Sequence, residues 1–364
     1  MTTPSGPQPA DFAAVRATNL AVVLRDVRAH APCSRADIAA RTGLNKATVS
    51  SLVGELIDRR LVRETGITEH RIGRPATMLV LDGGHFAAIG LEIGVDQLTV
   101  VALDLAGVEL VSWRRAASAG LNSLVSKAVA RVTSLDREVL ALTVGVPGPV
   151  DAADNVPVLA DLRRGLRDAR YAIKVDSSAN LAVSAEHRAG EHAGTANLVY
   201  VSGDGRVCAG LIVDGHLLRG ARGFTGLLGN LDGLDERASI PAIVRAVLPD
   251  AEDDGPIADY APELDRVVVA AKNGEGAAIT TAGRHLGRGL AALADLVDPE
   301  VILLGGGYAR LAEWLLPAAA GEIGSALLNI SSLGPGAAAL GGAMRALAEV
   351  EGGHLPAVQV ATLR

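Results

Sequence analysis

Short polar and basic side chains near the start of the chain could together hold a DNA duplex. Guanidinium and ammonium groups bind phosphate oxygens, whereas hydroxyl and amide groups can reach base edges in the major groove. The candidate DNA-contacting residues are Arg35, Asn45, Lys46, Thr48, Ser50, Ser51, Arg71 and Arg74. The alternative is an ordinary three-helix module that binds protein, with its arginines merely solvated.

A second set of polar residues, in the middle of the chain, could line a small-molecule site. Its members are Asp176, Ser178, Asn180, Arg206 and Asn230. Their carboxylate, hydroxyl, amide and guanidinium groups could bind a small polar effector without a metal ion. The alternative is that each is a hydrogen-bonded structural residue.

The elements around the first set predict a winged helix-turn-helix. Helical spacing of apolar residues indicates helices over 11–29, 35–41 and 46–60. Ser34 and Asn45 are suitable N-caps, and Gly43 lies in a predicted tight turn between the second and third helices. In such a pair the second helix enters the major groove with its N-terminal residues at base edges. Strands at 61–64 and 78–81 would flank a loop, the wing, that contains Arg71 and Arg74.

Charge and composition agree with double-stranded DNA as the partner of this segment. Residues 1–82 contain 11 Lys and Arg against 8 Asp and Glu, a net charge of +3; since the whole chain carries −7, the other residues carry −10. Aromatic residues make up 2%, which leaves little material for the base stacking used by single-strand and RNA binders.

The same counts exclude several other classes. Two cysteines, Cys33 and Cys208, are too few for a disulfide framework or a cysteine-only zinc site, and the histidines show no metal-ligand spacing. We therefore expect no metal and no cofactor. No apolar run reaches the roughly 20 residues that span a membrane, and the first residues lack the pattern of a secretory signal. The expected location is cytoplasmic.

The remainder of the chain predicts an α/β fold with two duplicated lobes. Two buried strands joined by a tight turn occur at 87–105, and a similar unit recurs at 197–218. Helices at 121–133 and 178–190 alternate with a strand at 140–146, which favours a largely parallel sheet. The predicted organisation is a disordered tail at 1–10, a winged helix-turn-helix at 11–82, a first lobe at 83–190, a second lobe at 191–340, and a C-terminal helix and tail at 341–364 that return to the first lobe.

A series of glycine-rich motifs in this order resembles the ROK family from about residue 15 to about residue 349. The motifs are Gly73-Arg74-Pro75, Gly145-Val146-Pro147-Gly148-Pro149-Val150-Asp151, Ala179-Asn180, Asp214-Gly215 and Leu304-Gly305-Gly306-Gly307. That family includes sugar-responsive repressors and sugar kinases with an actin-like, ribonuclease H-like fold. The resemblance implies this two-lobed fold behind the winged helix.

The kinase motifs of the family are altered in this chain. The Asp-x-Gly-Gly-Thr phosphate loop corresponds to residues 92–96, which end in Asp96 and lack the second glycine and the threonine. The second phosphate segment contains Asp204, which is unfavourable beside a triphosphate. Ser178 stands where the family has its catalytic aspartate, and a serine cannot act as that base unaided. We therefore expect no kinase activity.

The sugar and zinc motifs are altered as well. The family's Glu-x-Gly-His segment corresponds to Leu227-Leu228-Gly229-Asn230, and the three cysteines that follow it in the family are missing. The resemblance thus implies that neither the zinc site nor the ordinary sugar site is retained.

The sequence predicts a DNA-binding transcriptional regulator, a repressor, with a degenerate ROK-like domain for dimerisation and effector binding. It would bind an inverted-repeat operator as a homodimer or a dimer of dimers. Two alternatives stay open: a sugar kinase with an appended DNA-binding domain, and a DNA-binding protein that needs no ligand.

Overall fold

Helices and short strands at the N-terminal end of the chain form a winged helix-turn-helix. The structure is a computed structural model, and it describes residues 12–69, 76–94, 97–116, 120–150, 157–167, 169–250, 261–323, 328–354 and 356. The elements of this unit are α1 (Phe12–His30), β1 (Cys33–Ser34), α2 (Arg35–Thr42), α3 (Lys46–Asp58), β2 (Val62–Glu69) and β3 (Ala76–Leu81). The strands form an antiparallel sheet in the order β1-β3-β2.

Local capping explains where the helices of this unit begin and end. Ser34 Oγ accepts the backbone N–H of Asp37, and the Asp37 carboxylate accepts the backbone N–H of Ser34 at 3.0 Å, which closes a capping box at the start of α2. Gly43 ends that helix with a φ of 73°, a left-handed conformation that favours glycine. The predicted caps are confirmed. The predicted end of α3 at residue 60 is wrong, because Arg60 has a φ of 58° and the helix ends at Asp58.

The first lobe contains a mixed sheet of five strands. Its elements are β4 (Phe86–Ile93), β5 (Gln97–Asp104), β6 (Glu109–Ala116), α4 (Leu121–Thr133), β7 (Glu138–Val146), α5 (Pro157–Gly165), β8 (Ala172–Ser177) and α6 (Ser178–Ala189). The order is β6-β5-β4-β7-β8, antiparallel on the hairpin side and parallel from β4 to β8. Helices α4 and α5 contribute apolar residues to the core on one face of this sheet. The sequence analysis did not predict β8 or α5.

The second lobe repeats this topology. Its elements are β9 (Leu198–Ser202), β10 (Cys208–Val213), β11 (His216–Leu217), α7 (Leu234–Ala238), α8 (Ile240–Val247), α9 (Ala261–Ala270), α10 (Ala277–Val297), β12 (Val301–Leu304), α11 (Gly307–Arg310), α12 (Ala312–Ile323), β13 (Leu328–Ile330) and α13 (Ala337–Glu351). The order β11-β10-β9-β12-β13 has the same strand directions as the first sheet. The predicted duplication is therefore present.

Helix α13 joins the three units of the chain. It packs against the sheet of the first lobe, against α6 and against α1, and its residues share one apolar core with the winged helix. The close approach depends on glycines: a Cβ at Gly90 would clash with the Ala339 carbonyl oxygen, and one at Gly341 would clash with the Leu181 carbonyl oxygen. The helix begins at Ala337, slightly before the predicted position.

Two predicted segments cannot be compared with the structure. The tail at 1–10 and most residues after His354 lie outside the described residues. In the part of the chain that is described, we find no helix with the length and apolar character needed to cross a membrane.

Candidate DNA-contacting surface and lobe sites

Helix α3 presents its N-terminal end to solvent. Asn45 caps the helix, and its Oδ1 accepts the backbone N–H of Thr48 at 2.8 Å. The side chains of Lys46, Ser50 and Ser51 are exposed, whereas Thr48 is half-buried. These predicted residues therefore lie together at the accessible start of one helix.

Small residues lie along an accessible face of α3. Ala47, Ser51 and Gly54 are spaced so that they share one side of the helix, opposite the buried Val49 and Leu52. A Cβ at Gly54 would meet no heavy atom of the described residues within 4 Å. A partner can therefore come close to the backbone here. The sequence analysis missed Ala47 and Gly54 because it considered only polar and basic types; their spacing opposite the apolar stripe was the available signal.

Two arginines beside α3 are held by carboxylates. Arg35 forms an ion pair of 2.9 Å with Glu64 on β2. Arg16 of α1 pairs with Glu55 at 2.6 Å, and its Nη2 donates to Ser51 Oγ at 3.5 Å. Arg16 was not among the predicted residues, and no sequence spacing could have placed it beside a helix 35 positions further on.

Arg71 and Arg74, the predicted arginines of the wing, lie outside the described residues. The strands that lead into and out of that loop are present, with a register shift between Glu64 and Thr68 on β2. A DNA contact by these arginines stays a prediction.

The winged helix is attached to the rest of the chain through a charged side chain of α1 and another just after α3. Arg28 donates to the Leu105 carbonyl oxygen at 2.6 Å and pairs with Glu351 near the end of α13. Burial raises the pKa of the Glu351 carboxyl and lowers that of the Arg28 guanidinium, while their mutual attraction opposes both shifts. Arg59 donates to the Pro356 carbonyl oxygen at 2.7 Å. A shift of α13 would thus act directly on α1.

Asp176, at the end of β8, is a buried carboxylate that holds several elements together. Its side chain is 4% exposed, and it accepts from Asn180 Nδ2 at 3.2 Å and from Arg219 Nη2 at 2.8 Å. Arg345 of α13 also donates to it. The backbone N–H of Ser177 is a further donor, at 2.8 Å. Asp176 and Asn180 thus form part of an internal ion cluster.

Arg206 and Asn230 belong to a different cluster, in the second lobe. Arg206 Nε donates to Asp235 at 2.7 Å, and its Nη2 donates to Asn230 at 3.3 Å. Asp235 also accepts the backbone N–H of Val207. These predicted polar residues thus lie in two clusters, in each of which they bind a carboxylate of the chain itself. Binding of an effector by these residues stays a prediction.

Ser178 is buried at the start of α6. Among the described residues no hydrogen-bond partner reaches its Oγ, and a Cβ at Gly145 would lie 3.1 Å from that oxygen. A hydroxyl enclosed in this way, with no base beside it, cannot take a proton from a substrate.

The glycine turn after β12 is already occupied by a carboxylate of the chain itself, that of Asp204. The backbone N–H of Gly307 donates to Asp204 Oδ1 at 2.7 Å, and the Asp204 side chain is buried. Gly306 has a φ of 56°, and a side chain there would clash with Asp204. Backbone N–H groups at a helix start bind phosphates well, and here one of them is taken by a carboxylate. Asp96, in the other phosphate segment, lies outside the described residues.

The cavity at this turn is small and acidic. Its volume is about 30 Å³, and its lining includes Glu92, Asp204 and Arg310. Because two carboxyl groups outnumber one guanidinium group, this lining would disfavour the phosphates of a nucleotide.

Neither cysteine has the environment of a metal ligand. Burial raises the pKa of the Cys208 thiol to about 12 and also raises that of Cys33. Within the described ranges, no group of three His, Cys, Asp or Glu side chains could hold a metal ion.

Mg·ATP is expected to give no saturable heat of binding in calorimetry with the full chain, because the Asp204 carboxylate occupies the turn and would repel the phosphates. Asp204→Asn, which keeps the oxygen acceptor but removes the charge, is the companion variant. Saturable binding by the unmodified chain, weakened by Gly307→Val, would show that the nucleotide site is intact.

Two family models match the chain. Residues 88–329 match the ROK family, and residues 22–71 match the MarR family. The chain is 27% identical over 328 residues to a xylose repressor of Caldicellulosiruptor bescii, covering 79% of this chain and 82% of that protein. It is 26% identical over 342 residues to the DNA-binding transcriptional dual regulator NagC of Escherichia coli K12, covering 84% of each.

Solved structures agree on the fold. A ROK family transcriptional regulator described as a homologue of E. coli MLC protein superposes with a TM-score of 0.69 at 21% identity, covering 94% of this chain and 98% of that one. A ROK family glucokinase from Streptomyces griseus gives 0.55 at 21% identity and covers 71% of this chain and 98% of that one. The match to the regulator includes the winged helix as well as the two lobes.

Proposed function

The chain belongs to the ROK family, and from this premise we propose that it is a DNA-binding transcriptional repressor rather than a sugar kinase. The observation that carries the proposal is the surface of α3. An N-capped helix with Lys46 at its start and small residues along its outer side projects from a winged helix that is fixed to a two-lobed domain. That arrangement fits the entry of a recognition helix into the major groove.

The remaining parts of the proposal concern assembly and location. We infer binding to an inverted-repeat operator as a homodimer or a dimer of dimers in the cytoplasm, since two-fold symmetry of protein and operator go together. The test is a mobility shift with genomic fragments at low salt, followed by the stoichiometry of the selected complex. Absence of any specific shift would contradict operator binding, and a stoichiometry of one protomer per operator would contradict binding as a dimer.

Lys46→Ala is expected to weaken binding to the selected duplex evenly across sequence variants. Because the change removes one phosphate contact, the slope of log affinity against log salt should fall by about 0.9. Fluorescence anisotropy over a salt series measures both quantities. Lys127→Ala, at an exposed position of α4 in the first lobe, is the matched control and should leave the slope unchanged.

The two lobes are the proposed place for control by a small polar effector. The curated relatives are named as xylose and N-acetylglucosamine repressors. In this chain Ser178 is enclosed and Asn230 is bound to Arg206, so we do not extend those sugars to it. An effector can change operator affinity only if the effector itself binds one arrangement of the two lobes more tightly than another.

The alternative is a protein that binds DNA without any ligand. A small molecule that changes operator affinity would distinguish a regulated repressor from this alternative.

A further inference from the structure

A cavity lined by arginines lies between α6, α13 and the segment around β10 and β11. Its volume is about 180 Å³, several times the roughly 30 Å³ that one water molecule occupies in the liquid. The charged side chains that line it are Arg188 of α6, Arg219 after β11 and Arg345 of α13, with His187 beside them. Arg206 and Asn230 do not line it, so this place differs from the predicted effector site.

The side chains that line this cavity are positively charged. Arg219 and Arg345 both engage Asp176, which is the carboxylate beneath them. Arg188 is exposed, and it acts electrostatically on the Glu351 carboxyl group. Among the described residues that line the cavity there are three arginines and no acidic residue. Sites of this kind attract anions strongly, because the charges are held at the walls of a concave surface.

We propose that this cavity binds the dianionic phosphate group of a small phosphate monoester. Guanidinium groups present a planar fork of donors that matches phosphate oxygens. A phosphate monoester carries a charge of about −1.5 to −2 at neutral pH, so it is attracted to a lining of arginines. A simple carboxylate would duplicate what Asp176 already supplies to Arg219 and Arg345.

The position of the cavity links it to the winged helix. Arg345 and Glu351 lie on the same helix, α13, and Glu351 pairs with Arg28 of α1. Arg188 also acts on Glu351 electrostatically. An anion that draws Arg188 and Arg345 toward itself would therefore change the surroundings of the ion pair that attaches α1. This regulatory part rests on the proposed function, whereas phosphate binding itself does not.

Calorimetry of the full chain without DNA tests the site. The probes are inorganic phosphate and glycerol 3-phosphate, with succinate as the carboxylate comparison at equal ionic strength. We expect saturable binding of both phosphates and a loss of at least about tenfold in affinity in Arg188→Gln, which removes a charged hydrogen-bond donor from an exposed position without breaking an ion pair. Arg131→Gln, at an exposed position of α4, should bind as the unmodified chain does.

Several results would overturn the site: no saturable phosphate binding, binding that Arg188→Gln leaves unchanged, or equal binding of succinate. A loss of duplex affinity in Arg188→Gln with unchanged phosphate binding would instead make these arginines a DNA contact, which also overturns it.

A second measurement tests the regulatory part. Glycerol 3-phosphate should change operator affinity in the unmodified chain but not in Arg188→Gln, each compared with chloride at the same ionic strength. No such change, with phosphate binding intact, would overturn only the regulatory role. If the unmodified chain bound no duplex, the proposed function would fail while the calorimetry still decided the site.

Discussion

Ala47→Glu is expected to lower the affinity of the chain for its operator by about 100-fold or more. Ala47 is exposed at the second position of α3, on the side that would face the groove. A carboxylate there meets the phosphates of the duplex, and like charges across an interface cost several kcal/mol, where every 1.4 kcal/mol is tenfold. The fold should be retained, because a negative side chain in the first turn favours a helix. Anisotropy with the selected duplex measures the loss.

Ala160→Glu is the matched control for this change. It adds the same charge at an exposed alanine of α5, in the first lobe. If both variants lost affinity equally, the effect would reflect net charge alone. If Ala47→Glu bound normally, α3 would not be the element that enters the groove, and the proposed function would have to place DNA elsewhere.

The parts of the fold that depend on neighbouring residues were predictable from the sequence. The capping box of Ser34 and Asp37 spans three positions, and the left-handed Gly43 and the cap at Asn45 each act within one turn. The two lobes were predictable for a related reason, since the same strand pattern occurs twice. Strand β8 was missed because its six residues include the charged Lys174 and Asp176, and its pairing with β7 is not visible in the sequence.

The candidate sites were less predictable because their contacts are long-range. Asp176 looked like a ligand-binding carboxylate, but its partners Arg219 and Arg345 come from 43 and 169 positions away. The acidic character of Asp204 beside a phosphate segment was visible in the sequence. Its hydrogen bond to Gly307, 103 positions away, was not. A side chain's type indicates what it can bind, whereas the fold decides whether that capacity is already used inside the protein.

Gly341→Ala is expected to destabilise the chain by about 1–3 kcal/mol or more, even though alanine is the better helix former. At this position α13 lies so close to α6 that an added Cβ would clash with the Leu181 carbonyl oxygen. Backbone cannot move aside as a flexible side chain can, so α13 would have to shift. Because α13 also packs on α1, the same change should weaken the attachment of the winged helix and lower operator affinity. Urea unfolding and anisotropy measure the two effects.

Gly321→Ala is the control. It makes the same substitution inside a helix at a position where no close approach of two helices is involved. Gly321 is also inside a helix, α12, but a Cβ there would meet no heavy atom within 4 Å in the part of the chain that the structure describes. This variant should gain about 0.5–1 kcal/mol, since alanine loses less backbone freedom on folding than glycine. We therefore expect Gly341→Ala to lower the free energy of unfolding and Gly321→Ala to raise it. A stabilising effect at both positions would mean that α6 and α13 can separate without cost, and that α13 does not rigidly couple the lobes to the DNA-binding unit.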